Sequence, residues 1–107
     1  MINDTYVPGY GNPSARIAIV GEAPSYEEIA ALKPFVGPSG RFLDSLLNTV
    51  GIKRSECWIT NVCKYFVTPN AKYGRKIPFQ VRARSDGIDL DVQISDLRNE
   101  LLTIKPN

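Results

Sequence analysis

The sequence predicts an α/β domain on a parallel sheet, opening with a βαβ unit. Three observations carry that expectation. A short run of mostly β-branched residues, Ile17–Ala18–Ile19–Val20, reads as a strand buried on both faces. An amphipathic stretch follows, and then a second apolar run around Trp58, Ile59 and Val62. A helix between two strands of one sheet implies parallel strands and a right-handed crossover.

Residues 7–14, "VPGYGNPS", are turn-rich and read as a lead-in loop. The strand covers 15–20. It empties into "GEAPSYEEIAALKPFVG", whose mixture of turns, glutamates and one aromatic is too rich for a plain connector. In "PSGRFLDSLLNTVG" Ser39 can cap a helix, and Leu43, Leu46, Leu47 and Val50 form its stripe. Gly51 can end it in the left-handed conformation. "ECWITNVCKYF" supplies the second strand. Residues 67–88 read as a long polar loop or irregular excursion. Asp89 or Asp91 opens a last helix with the stripe Ile94, Leu97, Leu101 and Ile104, and Pro106 stops it. Open α/β sheets bind ligands beyond the carboxyl ends of their strands. The segment after Val20 and "TNVCK" after Ile59 both lie there.

The 107 residues suffice for one small domain, without internal repeats. No stretch approaches the roughly 18 consecutive apolar residues of a membrane span. The start lacks a basic, apolar signal pattern. A cytoplasmic location follows as the expectation, with Cys57 and Cys63 as reduced, partly buried thiols. Two cysteines are too few for a metal cluster without other ligands, and the chain has no histidine. The net charge of +2 conceals an asymmetry. From Cys57 to Ser85 there is no acidic residue, while Lys64, Lys72, Arg75, Lys76, Arg82 and Arg84 alternate with Tyr65, Phe66, Tyr73 and Phe79. That interleaving suits a phosphate backbone with bases to stack, or else an ordinary solvated basic loop.

The motifs "GEAPSYEE", "KPFVGPSGRFLDSLL" and "WITNVCK", in this order and spacing, resemble the uracil-DNA glycosylase superfamily. The resemblance is to the family-four, iron–sulfur type and its phage DNA-polymerase-related branch. It is closest from Gly21 to Lys64 and continues loosely to "IKPN". It implies a three-layer α/β/α fold with a parallel sheet ordered 2-1-3-4, here incomplete. The strand at 15–20 would then be interior, with its third-strand neighbour missing.

A glycosylase must flip a base out of the stack and hold it. Phe35 is the candidate stacking ring, with a core Phe as the alternative. Asn61 is the candidate reader: one amide can donate to uracil O4 and accept from N3–H, whereas cytosine presents the opposite pattern. The alternative for Asn61 is a turn cap. By resemblance, Glu22 and Ala23 lie against the sugar and uracil O2. Glu28 matches a family glutamate near the base edge. Lys64, Lys72, Arg75 and Lys76 are the candidate phosphate contacts.

The chain also departs from the family pattern. It has no Cys-x-x-Cys near its start, and Tyr65 stands where the family has a cysteine. No cofactor is therefore expected, with the iron–sulfur cluster absent. The family's second catalytic motif contains a histidine, which this chain lacks. The expectation is a single partial domain over 1–107, with 67–88 as a basic loop or insertion, matching the N-terminal half of a glycosylase. The function expected is hydrolysis of the N-glycosidic bond of uracil in DNA, as in base-excision repair. The chain by itself would be weak or inactive. The alternative is a non-catalytic nucleic-acid-binding or accessory module. The partners expected are uracil-containing DNA and either a second copy or a complementary C-terminal half, with no membrane.

Overall fold

The computed structural model describes residues 4–106. Its sheet has three strands: β1 (Tyr10–Gly11), β2 (Ile17–Gly21) and β3 (Cys57–Asn61), in the order β1-β3-β2. Strands β2 and β3 run parallel, in register from Ile17–Cys57 to Gly21–Asn61. The expected βαβ unit is present, with helix α2 (Pro38–Thr49) in its crossover.

The sheet is mixed rather than purely parallel. Residues 10–11, expected in a lead-in loop, pair antiparallel with β3. Gly11 makes this approach possible. It sits at φ +124°, and a Cβ there would lie 2.3 Å from the Cys57 carbonyl oxygen. β3 is consequently central, with Cys57, Ile59, Thr60 and Asn61 all buried. β2 pairs with β3 alone among the described residues, so its other edge is open and Val20 is 41% exposed. The expectation of a strand buried on both faces is corrected by its side chains: Ile17, Ala18 and Ile19 are only half-buried and Val20 is exposed.

Helix α2 starts at Pro38, a favoured first-turn residue, after Gly37 rather than at a Ser39 cap. It buries Leu43 and Leu47, whereas Leu46 and Val50 are exposed. Gly51 takes the left-handed conformation, at φ +74°. Helix α1 (Tyr26–Ala31) interrupts the segment after β2. The 67–88 stretch is more ordered than an irregular excursion. It contains a 3-10 turn at Asn70–Lys72 and helix α3 (Phe79–Ser85). Ala83 of α3 packs into a small core with Cys63 and Val67.

Helix α4 (Leu90–Ile104) is capped by the Asp89 carboxylate, which accepts from the Asp91 and Val92 N–H groups. Its inward face differs from the expected stripe. Gln93 and Ile104 are buried, and Glu100 reaches β3. Ile94, Leu97 and Leu101 instead line an open apolar groove of about 640 Å³ with Leu102 and Pro106. Polar partners on β3 and just after it set the helix rotation. Among the described residues no helix is long and apolar enough to cross a membrane.

Candidate functional site

The parallel pairing of β2 and β3 continues past the strands. Val62 N donates to Gly21 O and Cys63 N to Glu22 O, both at 2.9 Å. These bonds hold the ends of the two strands side by side, where the sequence places its odd segments. Phe35 and Asn61 converge on the backbone of Gly21. A Cβ on Gly21 would lie 2.3 Å from Asn61 Oδ1 and 2.8 Å from Phe35 Cζ. Only glycine admits both side chains there. Phe35 has φ +56°, a left-handed backbone uncommon outside glycine. Buried Pro34 precedes it, and Gly40 packs so closely behind that a Cβ would strike the Phe35 carbonyl oxygen.

Asn61 is 3% exposed, and its Nδ2 is buried without a hydrogen-bond partner. An orphaned buried amide donor costs about 1–3 kcal/mol. A turn-capping role would have given the side chain a backbone partner, and none meets Nδ2.

Glu28 is buried in helix α1. Its carboxylate accepts from Ser25 N at 3.3 Å and from Ser39 Oγ at 3.0 Å. It therefore braces the start of α1 against that of α2, and Ser39 serves this brace rather than a cap. Glu22 is exposed, and Ala23 packs against the Cys63–Val67–Ala83 core. Both line a cleft of about 320 Å³ with Tyr26, Phe66, Phe79 and Arg82.

The basic candidates separate. Lys72, Arg75 and Lys76 are exposed. Lys64 is 3% exposed and is not a surface cation. Its Nζ lies 3.0 Å from Glu100 Oε1 and donates to Asn61 O. The same carboxylate accepts from Trp58 Nε1 at 2.8 Å and Thr60 Oγ1 at 3.2 Å. Glu100 is thus the hub of a buried network that tethers Asn61 from behind. Sequence reasoning missed it, because its partners lie on a distant strand. The placing of Lys64 has the same cause: its counter-charge lies in another element.

A model of the Uracil DNA glycosylase superfamily matches residues 8–107. The type-4 uracil-DNA glycosylase of Archaeoglobus fulgidus is 48% identical over 59 residues, covering 55% of this chain and 30% of the relative. That of Pyrobaculum aerophilum is 45% identical over 58 residues, covering 54% and 30%. That of Thermotoga maritima is 47% identical over 58 residues, with the same coverage. The chain thus spans about 30% of the length of these curated relatives.

Their type corrects the expectation of no cofactor. Family four is the iron–sulfur type, so kinship to type-4 enzymes overturns a cofactor-free assignment. That expectation came from the missing Cys-x-x-Cys near the start and from Tyr65 at a family cysteine position, read in a chain that spans only part of such an enzyme. Cys57 and Cys63 themselves do not fit a cluster. Both are buried, with Sγ directed at the carbonyls of Lys53 and Tyr65. Among the described residues no group of three or more His, Cys, Asp or Glu side chains could hold a metal ion.

Proposed function

The chain belongs to the uracil DNA glycosylase superfamily, and we propose that it supplies the base-reading wall of a cytoplasmic enzyme that hydrolyses the N-glycosidic bond of uracil in DNA. The observation that supports this best is the buried, unpartnered Asn61 Nδ2 beside the Phe35 ring at Gly21. Uracil fits that pair. Its face stacks on Phe35, O4 accepts from Asn61 Nδ2, and N3–H donates to Oδ1. Cytosine presents a donor where Nδ2 needs an acceptor.

In the reaction the oxygen of water bonds to C1′, the C1′–N1 bond breaks with its electron pair going to uracil, and the proton that water loses ends on the departing base. A donor aimed at O4 stabilises the charge that develops on the leaving base. Glu22 and Ala23 border the sugar side, and Glu28 holds the helix that frames the pocket. Lys72, Arg75 and Lys76 meet the phosphates, while Lys64 acts behind the pocket by fixing the backbone of Asn61. The described residues are a portion of one glycosylase-like domain. The open edge of β2 and the apolar groove of α4 are the surfaces that a second copy or a complementary half of the domain would cover.

The absence of histidine from the chain favours a second reading for the chain alone, namely base binding without turnover. The deciding experiment compares binding to single-stranded oligomers carrying one uracil, thymine or cytosine, together with uracil release. Uracil should be preferred by about tenfold or more, Asn61→Asp should erase the preference, and release by the chain alone should be slow or absent. Equal binding of the three oligomers would overturn the pocket. Turnover at the rate of a complete enzyme, abolished by Asn61→Asp, would overturn the second reading.

A further inference from the structure

We propose that the cleft beside the pocket is a stacking subsite for the base of a neighbouring nucleotide in single-stranded DNA, with Tyr26 as its platform. This deepens the reading of Phe35 and Asn61 as a uracil pocket and rests on it for the position of the strand.

Tyr26 is the first residue of α1 and is 50% exposed. Its ring leans on buried Phe66, with centroids 4.5 Å apart and planes at 40°. That contact fixes the tyrosine ring while half of its surface stays open. A rigid, half-exposed aromatic is what a nucleobase stacks on, and such stacking tolerates any base. The cleft adjoins the Phe35–Asn61 pair along the chain. Glu22 and Ala23 line it, and Gly21, against which Phe35 and Asn61 pack, directly precedes them. Gly21 to Ala23 spans at most about 7 Å of chain, roughly one nucleotide step. Glu27, also in the cleft, packs against Gly37 just beyond Phe35.

The cleft carries charges of both signs. Glu22 and Glu27 line it and repel phosphate. Arg82 lines it too, its guanidinium 5.6 Å from the Phe79 ring centroid. Arg82 donates to the carbonyls of Ile77 and Thr68, and neither partner is a carboxylate. The loop bearing Lys72, Arg75 and Lys76 leaves the cleft wall at Pro69 and returns to it at Phe79. The bond from Ile77 N to Asn70 Oδ1, at 2.7 Å, closes it. An uncharged base over Tyr26 with its phosphates turned toward this loop meets the cations and keeps its charge away from Glu22 and Glu27.

The test uses the full chain at low salt and labelled thymidine oligomers of about eight nucleotides, read by anisotropy. Tyr26→Ala should weaken binding about five- to 150-fold, and Tyr26→Phe should preserve it. 2-Aminopurine next to a single uracil should be quenched on binding to the unmodified chain and to Tyr26→Phe, but not to Tyr26→Ala. Unchanged affinity of Tyr26→Ala, no quenching by the unmodified chain, or equal binding of free thymidine monophosphate would each overturn the subsite. The thymidine oligomers contain no uracil. A failure of the uracil pocket would therefore appear as a lost preference at Asn61 while the Tyr26 effect persisted.

Discussion

Replacing Glu100 by alanine should cost about 3–5 kcal/mol, although the residue is partly exposed and outside the pocket. Its carboxylate lies 3.0 Å from Lys64 Nζ, and the two side chains are 17% and 4% exposed. At an effective dielectric of about 20, opposite charges at that distance attract by about 5 kcal/mol before desolvation. Removing the acid leaves the buried Lys64 ammonium without its counter-charge, and Trp58 Nε1 loses its acceptor. Urea unfolding followed through Trp58, the sole tryptophan, measures the loss. With a slope of about 1 kcal/mol per molar, the midpoint should fall by about 3 M, or the cooperative transition should vanish. Glu100→Gln keeps an acceptor and should cost less, about 1–2 kcal/mol. Because Lys64 also donates to Asn61 O, both variants should lose uracil preference in the same order. An alanine variant within 0.5 kcal/mol of the unmodified chain, a surface-substitution effect, would refute the network as a source of stability.

Gly21→Ala places a methyl 2.3 Å from Asn61 Oδ1 and 2.8 Å from Phe35 Cζ. It should abolish uracil preference while destabilising the chain by about 1–3 kcal/mol, measured by binding and urea melts together. Three exposed cations on the 70–77 loop imply a log–log salt slope of about 2 on single-stranded DNA, and Lys72→Ala with Arg75→Ala should reduce it to about 0.7. An unchanged slope would make the loop a solvated surface. Burial raises the Cys63 thiol above its ordinary 9.0, and Cys57 moves the same way. The folded state then holds these protons more tightly than the unfolded chain, so stability should fall as pH rises past about 9. Cys63→Ala should flatten that alkaline decline in melts from pH 8 to 10.5.

The elements legible in the sequence are those whose signals are local. Asp89, the Ile94–Ile104 periodicity and Pro106 all lie within α4 or at its ends, and the helix spans Leu90–Ile104. Its rotation was not legible. The apolar stripe points partly into an open groove, because the inward face is chosen by Gln93, which accepts from Lys64 N, and by Glu100. Helices α1 and α3 are too short to display a stripe. α3 is held from outside by Arg82 on two carbonyls and by the Asp86 carboxylate, which accepts from Thr68 N and Oγ1. Phe35, between α1 and α2, and Asn61, the last residue of β3, were candidates from their motifs, and the structure brings both side chains to Gly21. The glycine that lets them meet was visible only as part of the first motif.

The basic segment shows why a charge count does not measure an interface. Read along the chain, Lys64, Lys72, Arg75, Lys76, Arg82 and Arg84 form one continuous patch. In the fold they do different things. Lys64 is neutralised by Glu100 in the core, and Arg82 is anchored on backbone carbonyls. Arg84 shares a surface hollow with Asp89 and Asp91. Lys72, Arg75 and Lys76 remain, on the loop that departs from and returns to the wall of the stacking cleft. Six cations spread over a surface would bind phosphate without orientation. On the proposed reading, three cations on a loop that joins the cleft at Pro69 and Phe79, together with Glu22 and Glu27 in its lining, would set where the backbone of a strand runs and which way its bases face. On that reading the remaining charge would contribute alignment at least as much as affinity. Raising salt should accordingly weaken binding of all strands alike, while the preference for uracil, set by Asn61 and Phe35, persists.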